Sequence, residues 1–325
     1  MVRRTVWLSG LVPFARVAEI MAKVGQVALS PSSVWRQAQE WGGKMGQQQE
    51  VARAKTSMPS GPGLKRGEVG QSRPRLGVAM DGSLIHIRGE GWKEVKEGCV
   101  FAVVPRPTLD EQTGDVIELA HAEQNSYVAH LGGPEEFGEL LWAEAQRRGW
   151  ERAAETEVVG DGAVWVWGLA ATHFYRSHQA VDWYHATEHL GTVASMLYGE
   201  GSAAAHQFFR RWETPLFQGH AARLAETLRV LAESQPSLAE PLCREAGYFS
   251  RNQRRMNYLE LRSEGWLIGS GMIESGCKQT KARFAGPGMQ WSRVGAQHLL
   301  PVRTTIMSER FDELWPSIYN SPPNY

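Results

Sequence analysis

The spacing of apolar positions changes along the chain, and each change marks a different kind of element. Val17, Ile20, Met21 and Val24 recur at helical spacing, Gly25 ends the run, and Ser30-Pro31 offers an N-cap followed by proline at the first helical position. A second helix is predicted over Ser32–Trp41, with Val34, Ala38 and Trp41 inward and Ser33, Arg36, Gln37 and Glu40 on the opposite face. Helix, short turn and polar-faced second helix outline a helix-turn-helix DNA reader, with Arg36 and Gln37 among the residues facing the groove. A plain helical hairpin with a solvated face fits the same pattern. Residues 43–75 then lose periodicity: consecutive glutamines, Pro59, Gly61-Pro62-Gly63 and Lys65-Arg66 predict a basic flexible linker that closes off a segment 1–42.

Beyond the linker the pattern turns to strands, with apolar runs at Leu76–Met80, Leu84–Arg88, Val95–Val104 and Val116–Ala122, and turns at Gly89–Gly91 and Pro105–Gly114. A helix follows over Pro134–Gly149, with Phe137, Leu140, Leu141 and Ala145 inward. Strand Glu157–Gly160, a short helix around Trp165–Phe174 and strand Gln179–Val181 come next. Hairpin-built strands, then helix, strand, helix, strand, are the succession of a ribonuclease H-like α/β domain, predicted here over 76–190 and 259–315. Residues 191–258 read as a helical insertion, with Leu224, Leu228 and Leu231 its clearest stripe and breaks at Gly199–Gly201, Pro215 and Pro236. Residues 316–325 read as a tail.

Composition narrows the class. At 325 residues and 42% hydrophobic content the chain can fill a substantial core, while no run of about 18 apolar residues is present and the first residues lack a signal-peptide core. These features predict a soluble cytoplasmic protein without a membrane partner. Cys99, Cys243 and Cys277 are odd in number and widely spaced, which excludes a disulfide framework and a CxxC zinc pair. Net charge is zero, yet it is segregated: residues 1–76 carry 12 basic and 4 acidic side chains, 77–160 carry 7 and 16, 161–250 carry 6 and 9, and 251–325 carry 10 and 6. Basic ends and an acidic middle suit a protein that grips phosphates and gathers carboxylates for metal, although solvated faces alone produce such blocks as well.

Three acids stand out of this pattern. Asp161 follows Val158-Val159-Gly160 and precedes Gly162, which places a carboxylate at the tip of a strand, the location of chemistry in open α/β sheets. Asp81-Gly82 follows Val78-Ala79-Met80 in the same manner. Glu274 opens a helix after Gly269 and Gly271 and shares a face with Lys278 and Lys281. Each has an ordinary reading too: a helix cap for Asp161, an Asp-Gly turn for Asp81 and a surface Glu–Lys pair for Glu274. Converging, the three would bind two divalent cations about 3.5–4 Å apart for in-line phosphoryl displacement, and oxygen-only ligation favours magnesium or manganese.

Met80-Asp-Gly82, Gly91-Trp-Lys-Glu-Val-Lys96, Gly160-Asp-Gly-Ala163, Val181-Asp-Trp-Tyr-His-Ala-Thr-Glu-His-Leu190, Gly269-Ser-Gly-Met-Ile-Glu-Ser-Gly-Cys-Lys278 and Gly286-Pro-Gly-Met-Gln-Trp-Ser292 together resemble the DDE transposases of the ISKra-type insertion sequences, which look related to the Mutator-like group. The resemblance covers roughly Phe14 to Trp315. It implies a ribonuclease H-like catalytic domain with Asp81, Asp161 and Glu274 as metal ligands, and metal-dependent cleavage at transposon ends with strand transfer into target DNA. It also implies action on terminal inverted repeats as a homo-oligomer at the nucleoid. Asp182 and His185 match the Asp-x-x-His signature that the resemblance associates with DNA near the cut. Lys278, Lys281 and Arg283 are assigned to phosphate contact, and Arg254 and Arg255, mixed with Tyr248, Phe249 and Tyr258, fit phosphate contact plus base stacking or a solvated packed helix. Asp182, His185 and His189 share a helical face suited to zinc, but neither histidine lies in a His-Glu-x-x-His context. Trp92, Trp183 and Trp291 are expected in packing roles. A DNA-binding repressor without catalysis and a general nuclease are the competing functional classes.

Overall fold

The computed structural model describes residues 1–56, 73–109 and 114–320. At its centre is a five-stranded mixed sheet made of β1 (Arg75–Ile87), β2 (Gly91–Leu109), β3 (Val116–His130), β4 (Thr156–Gly160) and β5 (His178–Val181), in the spatial order β3-β2-β1-β4-β5. β1, β2 and β3 pair antiparallel through direct connections, while β4 lies parallel to β1 and β5 parallel to β4. Parallel neighbours need a crossover, and α4 (Pro134–Arg147) and α5 (Val164–His173) occupy the connections leading into β4 and β5.

The runs expected as separate strands at Leu76–Met80 and Leu84–Arg88 form one strand. Pairing with β2 runs unbroken from Arg75↔Val103 to Ile87↔Gly91, straight through Asp81 and Gly82. Asp81-Gly82 is therefore not a turn, and the Glu94 side chain of β2 lies over Gly82. The true turn is at Gly89 and Gly91, both at φ +75°. β3 extends well past the expected Ala122, because a register shift between Val100 and Ala102 absorbs the polar stretch around Gln124 (φ +52°). Of the expected turn Pro105–Gly114, residues 105–109 are strand and 110–113 lie outside the described residues.

Side-chain alternation gives the sheet two buried faces. Val78, Met80, Val100 and Val158 pack against Phe137 and Leu141 of α4 and Val166 and Ala170 of α5. Ala79, Cys99, Phe101 and Val159 face the opposite way, onto Ile273 and Cys277 of α11 (Gly271–Phe284). A second apolar centre, around Leu190, Leu224, Leu228, Leu242 and Phe249, unites α6 (Trp183–Tyr198), α7 (Ala203–Phe217), α8 (Ala221–Ser234), α9 (Ala239–Asn252) and α10 (Tyr258–Ser263). Pro215, expected as a break, lies inside the last turn of α7.

The amino-terminal helices α1 (Val2–Ser9), α2 (Phe14–Lys23) and α3 (Pro31–Lys55) have the expected joint, with Ser30 Oγ accepting the Ser33 N–H at 3.1 Å and Pro31 opening α3. α3, however, is 25 residues long, so residues 43–55 of the expected linker are helical. Gly42, Gly43 and Gly46 are where α12 (Arg293–Met307) approaches: a Cβ at Gly42 would strike the His298 carbonyl, and Gly43 and Gly46 face His298 and Pro301. Residues 57–72 of the expected linker lie outside the described residues. The first helices share a core with the end of the sheet, where Val6, Ala38, Trp41 and Met45 pack with Ile85, Ile87 and Val95 and with Leu299 and Leu300. The expected tail begins inside α13 (Phe311–Tyr319), where Tyr319 stacks on Trp41 at 5.6 Å between ring centroids and Trp315 packs on it tilted at 5.1 Å; residues 321–325 lie outside the described residues. Among the described residues no helix is long and apolar enough to cross a membrane.

Candidate active site

Strand register decides where the two aspartates go. Met80 pairs with Gly160 at the last rung of the parallel β1–β4 ladder, so Asp81 and Asp161 stand next to each other immediately beyond it. Asp81 is thus mid-strand with respect to β2 and at the carboxyl edge with respect to β4, the edge at which open α/β sheets carry their chemistry. Asp81 Oδ1 accepts the Gly82 N–H at 2.6 Å, and Asp161 Oδ1 accepts the Ala163 N–H at 2.8 Å as α5 begins. The cap-like bond of Asp161 therefore coexists with its place at the strand edge. Gly162 turns the chain at φ +100°, and a Cβ there would lie 2.6 Å from the Tyr248 ring, whose hydroxyl donates to the Asp161 carbonyl at 3.0 Å. Burial raises the Asp81 carboxyl above the usual carboxylate range; the Gly82 N–H opposes this, and the neighbouring Asp161 charge adds to it.

α11 covers this edge of the sheet. Directly across from Asp81 on β2 stands Glu97, 2% exposed, which accepts hydrogen bonds from Ser83 Oγ and, at 2.7 Å, from Thr280 Oγ1 of α11. Burial raises the Glu97 carboxyl against those two donors, and burial likewise raises the Cys277 thiol between Glu97 and Asp81. Glu97 and Cys277 were not among the sequence candidates. The one available signal was a lone acid inside the apolar run Val95–Val104.

Glu274 lies at the exposed start of α11, its side chain 57% exposed and its Oε1 2.6 Å from Lys278 Nζ. That hydrogen bond holds the Glu274 carboxyl below its usual range. His185, in the first turn of α6, lies close enough for its charge to be felt by both Asp81 and Glu274. Its Nδ1 is 3.4 Å from Glu188 Oε2. Asp182 is 2% exposed and acts as the N-cap of α6, accepting the His185 N–H at 3.0 Å and the Ser270 N–H just before α11. It faces into the protein, not toward a DNA surface.

The basic candidates divide. Lys278, Lys281, Arg254 and Arg36 are exposed, whereas Arg283 is buried at 2% exposure. Arg283 donates from Nε to the Ser9 carbonyl at 2.7 Å, with its guanidinium over Phe14 and Trp291. The assignment of Arg283 to phosphate contact is corrected on that basis: α1 and α2 pack over the turn of α11 that carries it. Arg255 is half-buried, donating to Gln179 Oε1 at 2.7 Å and stacking over Trp167. Gln37 is also half-buried, with Oε1 turned inward and lacking a hydrogen-bond partner. Trp291 and Trp183 are packed as expected, but Trp92 is 61% exposed on the β1–β2 hairpin.

The donors bear on the metal expectation. Among the described residues no three His, Cys, Asp or Glu side chains are gathered closely enough to hold a metal ion, and Glu274 is engaged by Lys278. Two neighbouring carboxylates suit one hard cation of the magnesium type, which is held by one or two protein carboxylates and completes its shell with water and substrate phosphate. Glu274 is paired with Lys278 and is not gathered with them. In comparisons with known proteins, no family model and no curated protein matches this chain.

Proposed function

We propose that the protein is a metal-dependent DNA transposase that cleaves phosphodiesters at the terminal inverted repeats of an insertion sequence and joins the ends to target DNA, through a ribonuclease H-like domain. The observation that carries this reading is the Met80↔Gly160 rung, which sets two carboxylates side by side at the carboxyl edge of neighbouring parallel strands. Burial and the neighbouring Asp161 make Asp81 costly to keep ionised, and a bound divalent cation removes that cost. The strand order β3-β2-β1-β4-β5, in which three antiparallel strands are joined by two parallel ones, supports the ribonuclease H-like reading that the sequence resemblance implies.

In this reading Asp81 and Asp161 hold magnesium or manganese, which polarises the scissile phosphate when bound. This chain's residues supply the rest. His185 lies within electrostatic reach of Asp81 and Glu274, Lys281 on the exposed face of α11 meets backbone phosphate and Lys278 joins it when it exchanges Glu274 for phosphate, and Asp182 pins α6 to the start of α11. Arg36 on α3 and Arg254 on the helical insertion extend the contact along the duplex. Two ends held together require at least a dimer on DNA.

A second reading rests on Glu274 being engaged by Lys278: a protein that occupies the inverted repeats without cutting them. One experiment separates the two. The purified chain is incubated with an end-labelled inverted-repeat duplex and Mn²⁺, beside D161A. Nicking at the repeat boundary by the wild type alone supports transposition; equal binding by both proteins without nicking supports the repressor.

A further inference from the structure

A second constellation lies between α6 and α9. His189 Nδ1 is 2.6 Å from Glu245 Oε2, and the Glu245 side chain is 7% exposed. A carboxylate accepts, so this contact selects the Nδ1–H tautomer and leaves the lone pair on Nε2. The imidazole also lies flat on Tyr248, with 3.6 Å between ring centroids and 20° between planes. Tyr248 is itself fixed by its hydroxyl on the Asp161 carbonyl and by its ring against Gly162. One imidazole is thereby set in tautomer and plane, a ring's thickness from the residue that holds the Asp161 loop. Its side chain is 35% exposed, and it stands one helical turn beyond His185.

This arrangement has the form of an oriented base: a histidine whose second ring nitrogen is engaged by a buried carboxylate. The proposed cleavage also has a use for one. With Glu274 engaged by Lys278, the carboxylates at hand serve a single cation, and a group is needed to take the proton of the attacking water. Building on the cleavage reading above, we propose that His189 is the general base of phosphodiester hydrolysis, positioned by Glu245 and Tyr248. As the water oxygen bonds to phosphorus, one water proton passes to His189 Nε2. The bond from phosphorus to the 3′ oxygen breaks, and that oxygen takes a proton from solvent. Glu245 and Tyr248 face His189 from α9, with Arg244 Nε 4.0 Å from Glu245 Oε1; Glu188 and His185 share α6 with it, and the charges of Asp161 and Asp182 reach Tyr248.

The test is the pH profile of cleavage of the labelled inverted-repeat duplex with Mn²⁺, from roughly pH 5 to 9. For H189Q the rising limb disappears and the plateau rate falls roughly 10²- to 10⁴-fold, with affinity for the uncut duplex retained. Added imidazole restores cutting to H189A, which a merely structural histidine would not allow, and E245Q keeps a limb displaced along the pH axis. Cutting by H189Q within about threefold of wild type on the same limb overturns this assignment alone. A wild type that binds the duplex and never cuts overturns the cleavage reading and this assignment together.

Discussion

Replacing Asp182 with alanine separates a structural acid from one that handles DNA. The side chain is 2% exposed, with one oxygen on the His185 N–H at 3.0 Å and the other on the Ser270 N–H. Loss of the N-cap bond costs about 1 kcal/mol. The Ser270 N–H, in a residue 6% exposed, is left without its acceptor, which adds about 1–3 kcal/mol. The backbone bonds from Asp182 N to Gly160 O and from Trp183 N to Ile268 O, both 2.8 Å, survive the change, so the loss is confined to about 2–4 kcal/mol. An unfolding entropy of about 2.1 cal/mol/K per residue gives roughly 0.7 kcal/mol/K for 325 residues, and Tm falls by about 3–6 °C. D182N keeps one accepting oxygen and loses about half as much. The assay is a thermal melt followed by circular dichroism at neutral pH, paired with affinity for the inverted-repeat duplex. A D182A melt within about 1 °C of wild type, accompanied by lost DNA affinity, would refute the structural assignment.

Other consequences follow from the same geometry. Because burial and Asp161 raise the Asp81 pKa in the folded state, its stabilising contribution is complete below the unfolded value and is lost as pH rises through the folded one; D81N is therefore the more stable protein at pH 7, with the gap closing toward pH 4 in urea titrations. Manganese at a hundredfold excess over its Kd stabilises the wild type by about 2.7 kcal/mol in the same titrations and leaves D81N and D161N unmoved. G162A, which places a Cβ 2.6 Å from the Tyr248 ring at φ +100°, loses about 1–3 kcal/mol by thermal melt and also loses cleavage through displacement of the Asp161 loop; a variant of unchanged stability would contradict the packing described. For Arg283, whose pKa burial lowers to about 10, R283A loses about 2–3 kcal/mol while R283M stays within about 1 kcal/mol of wild type, and neither alters the salt dependence of DNA binding.

What could be read directly from the chain was whatever depends on near neighbours. The Ser30-Pro31 cap, the inward stripe Phe137, Leu140, Leu141 and Ala145 of α4, and the doubly buried Val158-Val159 of β4 all carry their signal within a few residues, and each is found where the pattern puts it. The same holds for Asp81 and Asp161 as acids that follow apolar strand residues. Glycine was ambiguous, because a missing Cβ serves either a turn or a close approach. Gly82 read as part of a turn and lies mid-strand under Glu94 of β2, and the segment from Gly43 read as linker and is helical as far as Lys55, with Gly42, Gly43 and Gly46 where α12 comes near.

The site itself depended on distances that no local pattern encodes. Parallel register placed Asp81 beside Asp161, and cross-strand pairing set Glu97 against Asp81. The packing of α1 and α2 over α11 buried Arg283, and that of α9 against α6 joined Glu245 and Tyr248 to His189. Glu274 was legible both as an acid opening a helix and as half of a surface pair with Lys278, and the folded chain holds that pair. The physical reason is that a side chain's chemistry is set by what packs against it, and for Asp81, Glu97, Arg283 and His189 the partners lie tens to hundreds of positions away in the sequence.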